Sequence, residues 1–80
     1  MTRDALMHYL RDKMGVDTSS VVDDTPLFSS NLLDSFSMVD LIMFVEKEGR
    51  VRLNPTDVSL DNLDTVGRIL AFVAVRRAEG

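Results

Sequence analysis

The sequence predicts an all-α fold, a small bundle of three main helices and one short helix, with a long loop between helices one and two. Three segments repeat apolar residues at the three- and four-residue spacing of a helix face, whereas the clearest alternating stretch, 51–53, is too short for a strand. The chain has 80 residues and no cysteine, so one modest core has to stabilise it without disulfides. We therefore expect a single domain over residues 1–80.

The first helix is predicted from about Thr2 to Met14. Leu6, Leu10 and Met14 recur at four-residue intervals and so lie on one face, which Met7 extends. Gly15 follows directly, and glycine is the residue that most often ends a helix. We therefore place the end of the first helix at this glycine.

A long connection runs from residue 16 to about residue 33. It is rich in serine, threonine and aspartate and contains Pro26. A loop of this length is uncommon in a compact domain unless it is packed or functional. We therefore expect four of its apolar residues to anchor it to the core: Val21, Val22, Leu27 and Phe28.

The second helix is predicted to begin at Asp34 or Ser35 and to end at Gly49. Four of its residues follow the i, i+3, i+4, i+7 pattern of a buried face: Met38, Leu41, Ile42 and Val45. Another side of the helix is also apolar, which a single core does not require. We interpret its apolar residues as a partner-facing strip: Phe36, Val39 and Met43.

The carboxyl-terminal part is predicted to hold the short helix and the last main helix. Asn54 can cap a helix, Pro55 suits the first helical position, and Asp57 favours the positive end of the helix dipole. The last helix is expected to begin at residues 64–65 and to close in the cations at 76–77. Its buried face is predicted from the same spacing: Val66, Ile69, Leu70 and Val73.

The net charge of −4 is unevenly distributed. Residues 15–46 contain six acids and no base, whereas residues 47–80 contain six bases and five acids. Nucleic acid is a poor partner for such a chain, and a basic protein surface suits it better. The longest apolar run, residues 41–45, is too short to cross a membrane, and the amino terminus lacks a secretory signal. We expect a cytoplasmic, monomeric protein that does not bind membranes.

Known catalytic and metal-binding patterns are missing from the sequence. His8 is the single histidine and has no cysteine to share a metal with, and Ser35 lacks the flanking glycines of a nucleophile elbow. Residues 57–61 have the acidic spacing that begins a calcium-binding loop. The rest of the pattern is missing, because Asn62 and Arg68 stand where the loop requires glycine and glutamate. We therefore predict neither an enzyme nor a metal site.

The segment from Leu32 to Leu41 carries the most specific signal. Its Asp34-Ser35 pair lies where the long loop meets an amphipathic helix, beside the partner-facing strip and within the acidic stretch. Here the chain resembles an acyl or peptidyl carrier protein of the phosphopantetheine-binding family. The resemblance covers nearly the whole chain, because three further parts match at the same separations: residues 1–14, Pro26-Leu27-Phe28, and the segment from Leu53 to Val66.

The resemblance implies a function. Ser35 would receive 4′-phosphopantetheine from coenzyme A through a separate phosphopantetheinyl transferase. The group would supply the thiol, so acyl or aminoacyl intermediates would be tethered as thioesters and the carrier would catalyse nothing. Its other partners would be an acyl- or aminoacyl-activating ligase and downstream synthases or transferases.

The resemblance also assigns roles around Ser35. Asp34 would be recognised by the transferase, although it is also an expected helix cap. Asp40 and Glu46 match acidic positions that partner enzymes contact with arginine and lysine. The partner-facing strip matches the apolar part of the same docking surface.

Several residues depart from the fatty-acid carrier pattern. Phe36 replaces the usual leucine, Ser37 and Lys47 stand where acids are common, and Asn31 stands where a glycine often precedes Leu-Leu-Asp-Ser. The carboxyl half is made less acidic by three arginines: Arg50, Arg52 and Arg68. The chain therefore looks more like a free-standing carrier of secondary metabolism, with fatty-acid, polyketide or nonribosomal peptide cargo left open. The alternative is an unmodified helical module that binds partners through the strip.

Overall fold

The computed structural model describes residues 1–79 and contains helices joined by loops. Within these residues there is no strand, and no helix is long and apolar enough to span a membrane. The predicted all-α bundle of three main helices and one short helix is therefore confirmed. The four α-helices are α1 (Arg3–Asp12), α2 (Ser35–Gly49), α3 (Leu60–Leu63) and α4 (Val66–Glu79), and single 3₁₀ turns occur at Thr18–Ser20 and Pro55–Asp57.

Helix α1 is closed at both ends by local hydrogen bonds. The Thr2 hydroxyl accepts from the Ala5 N–H at 3.1 Å, which makes Thr2 the amino-terminal cap. After Asp12 the chain reverses through Gly15 at φ +71°, so that the Val16 N–H donates to the Leu10 carbonyl at 3.0 Å. The predicted role of the glycine is confirmed, and the reversal ends α1 two residues before the predicted Met14.

The core combines all four helices with the long loop. Its fully enclosed side chains are Leu6, Leu10, Leu27, Leu41, Val45, Leu63, Val66 and Ile69. Of the predicted buried face of α2, Leu41 and Val45 are fully enclosed, whereas Met38 and Ile42 are half-buried at its margin. The helix spacing therefore identified the correct face of α2.

The loop anchors are only partly as predicted. Val21 and Leu27 are buried and Phe28 packs against the core, but Val22 is 59% exposed, so its prediction as an anchor is wrong. Val22 enters a turn in which its N–H donates to the Thr25 hydroxyl at 2.9 Å. Neighbouring residues in extended backbone point in opposite directions, and only Val21 can therefore face the core.

The segment between α2 and α3 is in part as predicted. The helix of one or two turns expected from Asn54 onward is a single 3₁₀ turn, in which the Asp57 carboxylate accepts from the Asn54 N–H at 2.8 Å. Arg76, which lies on α4, stabilises this turn. Its guanidinium group pairs with Asp57 at 2.8 Å and donates to the Arg52 carbonyl at 3.1 Å. The short α-helix begins only at Leu60.

Candidate functional site

The Asp34-Ser35 pair lies at the amino terminus of α2. Asp34 has extended backbone geometry at φ −100° and ψ 178°, and its Oδ1 accepts from the Ser37 N–H at 2.8 Å. This is the geometry of an amino-terminal cap, as the sequence predicted. The backbone N–H of Ser37, followed by its hydroxyl, lowers the pKa of the Asp34 carboxyl below its usual value. The carboxylate therefore stays ionised beside the positive end of the helix.

Ser35 is the first residue of α2 and is exposed to solvent. Its hydroxyl therefore lies next to the free backbone N–H groups of the first helical turn, where the helix dipole favours negative charge. A phosphodiester on this oxygen would have solvent on one side and the first helical turn on the other. The exposed serine thus fits covalent 4′-phosphopantetheine, which requires a hydroxyl that a transferase can reach.

The loop before α2 is held by a buried carboxylate from the carboxyl end of α3. Asp64 is only 5% exposed, and its Oδ1 accepts from the backbone N–H groups of Phe28 and Ser29 at 2.8 and 3.0 Å. The Ser29 hydroxyl donates to Oδ2 at 2.6 Å. The Leu27 N–H donates to the Asp64 carbonyl at 2.6 Å, and the Leu33 N–H donates to the Leu27 carbonyl at 2.8 Å. These bonds link Asp64, at the carboxyl end of α3, to Leu33, the residue that precedes the cap of α2.

The sequence did not reveal this role of Asp64. Burial alone would raise the pKa of its carboxyl, but the hydrogen bonds from Ser29 and Phe28 outweigh burial and lower the pKa below the usual value. The sequence placed the start of the last helix at residues 64–65, and its cap is Thr65, whose hydroxyl accepts from the Arg68 N–H at 3.0 Å. The flanking Leu63 and Val66, both buried, were the signal that Asp64 is enclosed as well.

The loop four residues before Ser35 contains a residue in the left-handed region. Asn31 has φ 66°, a conformation that glycine adopts freely and that asparagine tolerates better than most residues. This explains physically why asparagine can stand where the resembled family often has glycine. Two residues later Leu33 is buried while its neighbour Leu32 is exposed, so an apolar side chain that the sequence did not reveal faces solvent three residues before the serine.

The partner-facing strip lies on the solvent side of α2. Phe36 is 83% exposed, Val39 58% and Met43 62%. None of the three belongs to the buried core cluster, so this side of the helix faces solvent. The structure brings these side chains onto the same helix as Ser35, which they follow along the chain.

The two acidic docking candidates differ in their surroundings. Asp40 is exposed, and its charge adds to burial in raising the pKa of the Tyr9 phenol, whose ring stacks on Phe44 at 3.9 Å. Asp40 therefore lies on the α1 side of α2, one helical turn before Phe44. Glu46 is half-buried, and its Oε2 accepts from the Leu53 N–H at 3.0 Å, so this carboxylate also stabilises the segment after α2.

Metal-ligating side chains do not cluster within residues 1–79. No group of three or more histidine, cysteine, aspartate or glutamate side chains is arranged to hold a metal ion in this part of the chain. His8 is exposed on α1 and its Nε2 lies 2.8 Å from an Asp12 oxygen, one turn further along the helix. The histidine is thus the ordinary surface residue that the sequence predicted.

Comparison with known proteins identifies relatives over most of the chain. The family described as phosphopantetheine attachment site matches residues 4–73. An acyl carrier protein of Thermotoga maritima is 34% identical over 64 residues, which cover 80% of this chain and 76% of that protein. The probable acyl carrier protein PigG of a Serratia species is 32% identical over 62 residues, covering 78% and 66%. An acyl carrier protein of Chlamydia felis is 28% identical over 68 residues, covering 85% of each chain.

Proposed function

Because this chain belongs to the phosphopantetheine attachment-site family, we propose that Ser35 is the residue that carries 4′-phosphopantetheine. The chain is a carrier protein that tethers acyl intermediates on this covalent group, and its family does not itself catalyse reactions. The observation that supports Ser35 is its exposed hydroxyl at the first position of α2, directly after the Asp34 cap. We further propose that residues 1–80 act as one carrier domain.

Loading is a phosphoryl transfer onto the serine oxygen. A bond forms between Ser35 Oγ and phosphorus, the pyrophosphate bond of coenzyme A breaks, and adenosine 3′,5′-bisphosphate leaves. The hydroxyl proton goes to a base on the transferase. The bound group supplies the thiol that holds acyl chains as thioesters. The carrier's own contribution is to present the oxygen on a rigid helix end.

Asp34 has a second proposed role in recognition by the transferase. Its Oδ1 is engaged by Ser37, which fixes the orientation of the carboxylate, while the side chain stays exposed to solvent. The negative charge of Asp34 would repel the phosphate on Ser35, so this charge does not stabilise the phosphodiester and needs another role. An arginine or lysine of the transferase would complement this carboxylate.

We propose that partner enzymes dock on the solvent side of α2. The partner-facing strip supplies apolar area, and acidic residues flank it on the same helix. Residues 15–46 contain six acids and no base. A basic enzyme surface would therefore be attracted to this region more strongly than to any other part of the carrier. The residues of this surface are Phe36, Val39, Asp40, Met43 and Glu46.

We propose acyl rather than aminoacyl cargo, in a specialised biosynthetic pathway. All three relatives described above are named acyl carrier proteins, which supports the acyl assignment. Phe36 in place of leucine and the arginines after α2 support a specialised partner set. Its partners would then be an acyl-activating ligase and downstream synthase or transferase enzymes.

The attachment site is tested by intact-protein mass spectrometry. The protein is incubated with coenzyme A, Mg²⁺ and a broad-specificity phosphopantetheinyl transferase. We expect one phosphopantetheinyl adduct on the wild type and on Ser37→Ala, and none on Ser35→Ala. Ser37 is the matched control because it lies in the same helical turn. An undiminished adduct on Ser35→Ala would show that another residue carries the group.

The exposure of Phe36 keeps an unmodified interaction module as the second candidate. Such a module would retain its function in cells after Ser35→Ala and lose it after Phe36→Asp. A carrier loses its function with either substitution, although Phe36→Asp leaves the serine in place. Complementation of a deletion strain with the two variants separates the two functions.

A further inference from the structure

A cluster of arginines lies at the end of α2 that is remote from Ser35. A groove there is lined by five residues, which we call the arginine groove: Arg50, Val51, Arg52, Arg76 and Arg77. Four of the five are arginines and none is acidic. Because α2 spans 15 residues at about 1.5 Å per residue, the groove begins about 22 Å from the serine.

One of these arginines is occupied within the fold. Arg76 pairs with Asp57 at 2.8 Å, donates to the Arg52 carbonyl at 3.1 Å, and lies 5.1 Å from the centre of the Phe72 ring. The other three arginines are exposed, and no carboxylate of residues 1–79 lies within 4.0 Å of their guanidinium nitrogens: Arg50, Arg52 and Arg77. Three positive side chains thus border the groove without an ion-pair partner in this part of the chain.

The acids closest in sequence do not neutralise the groove. Glu46 accepts from the Leu53 N–H and Asp57 is paired with Arg76. Glu48 and Glu79 are exposed but do not line the groove. The arginines therefore repel one another in the free protein, and a bound anion would relieve this repulsion.

The backbone at Arg50 gives independent support for a use of its side chain. Arg50 caps α2 in the left-handed region at φ 54°, where glycine would be the favoured residue. The glycine stands one position earlier because a Cβ on Gly49 would lie 3.0 Å from Val73 Cγ1. Packing explains Gly49 but not the arginine at the left-handed position that follows it.

We propose that the arginine groove binds an acidic segment of a partner protein. A guanidinium group binds a carboxylate through two parallel hydrogen bonds, and several such groups in one groove suit closely spaced aspartates or glutamates. A long nucleic acid fits less well, because the chain is net negative and residues 15–46 would repel the rest of the polymer. The carrier would then contact basic enzymes around Ser35 and an acidic partner at the far end of α2.

The groove is tested by titrating the protein with a hexaglutamate peptide. Binding is monitored through the backbone amide chemical shifts in NMR spectra. We expect saturable shifts at residues 50–52 and 76–77 that disappear at high salt, because exposed charge contacts are screened. The triple substitution Arg50→Gln, Arg52→Gln and Arg77→Gln should weaken binding about tenfold, since three exposed ion pairs are lost. Arg76 is left intact because it stabilises the turn at Asp57.

Lys13→Gln is the matched control, because it removes one exposed positive charge outside the groove. It should leave peptide binding unchanged. Arg77→Gln alone should weaken binding measurably and keeps the test decisive if the triple variant does not fold. Ser35→Ala should bind the peptide as the wild type does, so a failure of the attachment site and a failure of the groove are distinguishable.

Three results would overturn the proposal. The first is the absence of shifts at the groove, or equal shifts around Lys13. The second is saturation of the same amides by inorganic phosphate at the concentration at which the peptide acts, which would make the groove a small-anion site. The third is tighter binding of a hexathymidylate than of hexaglutamate, which would assign the groove to nucleic acid.

Discussion

Helix α2 has two apolar faces that serve different purposes. On one face Leu41 and Val45 are completely enclosed by the bundle, whereas on the other Phe36 and Met43 are mostly in water. Residues of the same chemical type therefore stabilise the fold on one side and remain available to partners on the other. The difference shows that apolar composition alone does not identify a docking surface. The position of each apolar residue around the helix determines whether it is buried or exposed.

The largest effect is expected from the enclosed face. Leu41→Ala should lower the free energy of unfolding by about 3 kcal/mol, because a fully buried leucine leaves a cavity in a small core. Urea denaturation followed by circular dichroism measures the change. The matched control is Met43→Ala on the exposed face, for which we expect a change within about 0.5 kcal/mol. Equal losses in the two variants would contradict the division of α2 into two faces.

The next largest effect is expected at the carboxylate that holds the loop before α2. Asp64→Ala should cost about 2 kcal/mol, because the backbone N–H groups of Phe28 and Ser29 lose their buried acceptor. The same loss should slow the loading of Ser35, since the tethered loop positions the start of α2. Unfolding curves and rates of phosphopantetheinylation are measured on the same samples. A variant as stable as the wild type would show that the loop is held by its apolar anchors alone.

The ionisation of Asp64 also predicts a dependence on pH. Its pKa is lower in the folded protein than in the unfolded chain, so its contribution to stability is fully present above the unfolded value of about 3.9. That contribution is lost as the pH falls further, through the folded pKa. Asp64→Asn should therefore lose less stability than the wild type between neutral and strongly acidic pH. Parallel losses in the two proteins would assign acid unfolding to other carboxyls.

Removing the cap of α2 should have a smaller effect on stability than either of these changes. Asp34→Asn keeps an oxygen that can accept from the Ser37 N–H, while Asp34→Ala removes it. We expect Asp34→Asn to be as stable as the wild type but to be loaded more slowly by the transferase, because it lacks the charge. Comparing melting temperatures with loading rates separates the cap from recognition. Normal loading of Asp34→Asn would restrict Asp34 to the cap.

The smallest change in stability is expected on the exposed face itself. Phe36→Asp should shift the free energy of unfolding by less than about 0.5 kcal/mol, because the ring is already in water. Loading of Ser35 by the transferase and acylation by the activating ligase should nevertheless fall, since the partner-facing strip loses its largest apolar group. Steady-state kinetics with increasing carrier concentration would show this as a raised KM. Unchanged KM values would place the docking surface elsewhere.

The three main helices could be predicted because they depend on local spacing, and the attachment motif because its surroundings resemble a known family. Recurrence at three and four residues separated Leu41 and Val45 from Phe36, Val39 and Met43, and the structure places the two sets on different faces. The junction of loop and helix identified Asp34 as a cap by the same local logic.

Contacts between residues far apart in the chain could be identified only from the tertiary structure. Asp64 is buried where it accepts from Phe28 and Ser29, which lie 36 and 35 residues earlier. The arginine groove forms because Arg50 and Arg52 meet Arg76 and Arg77 across the bundle. The amino-acid sequence by itself determined the helices, the acidic stretch and the candidate serine, because these follow from neighbours along the chain. Only folding decided which carboxylate is buried and which cations share a groove, because burial and proximity depend on how the helices pack.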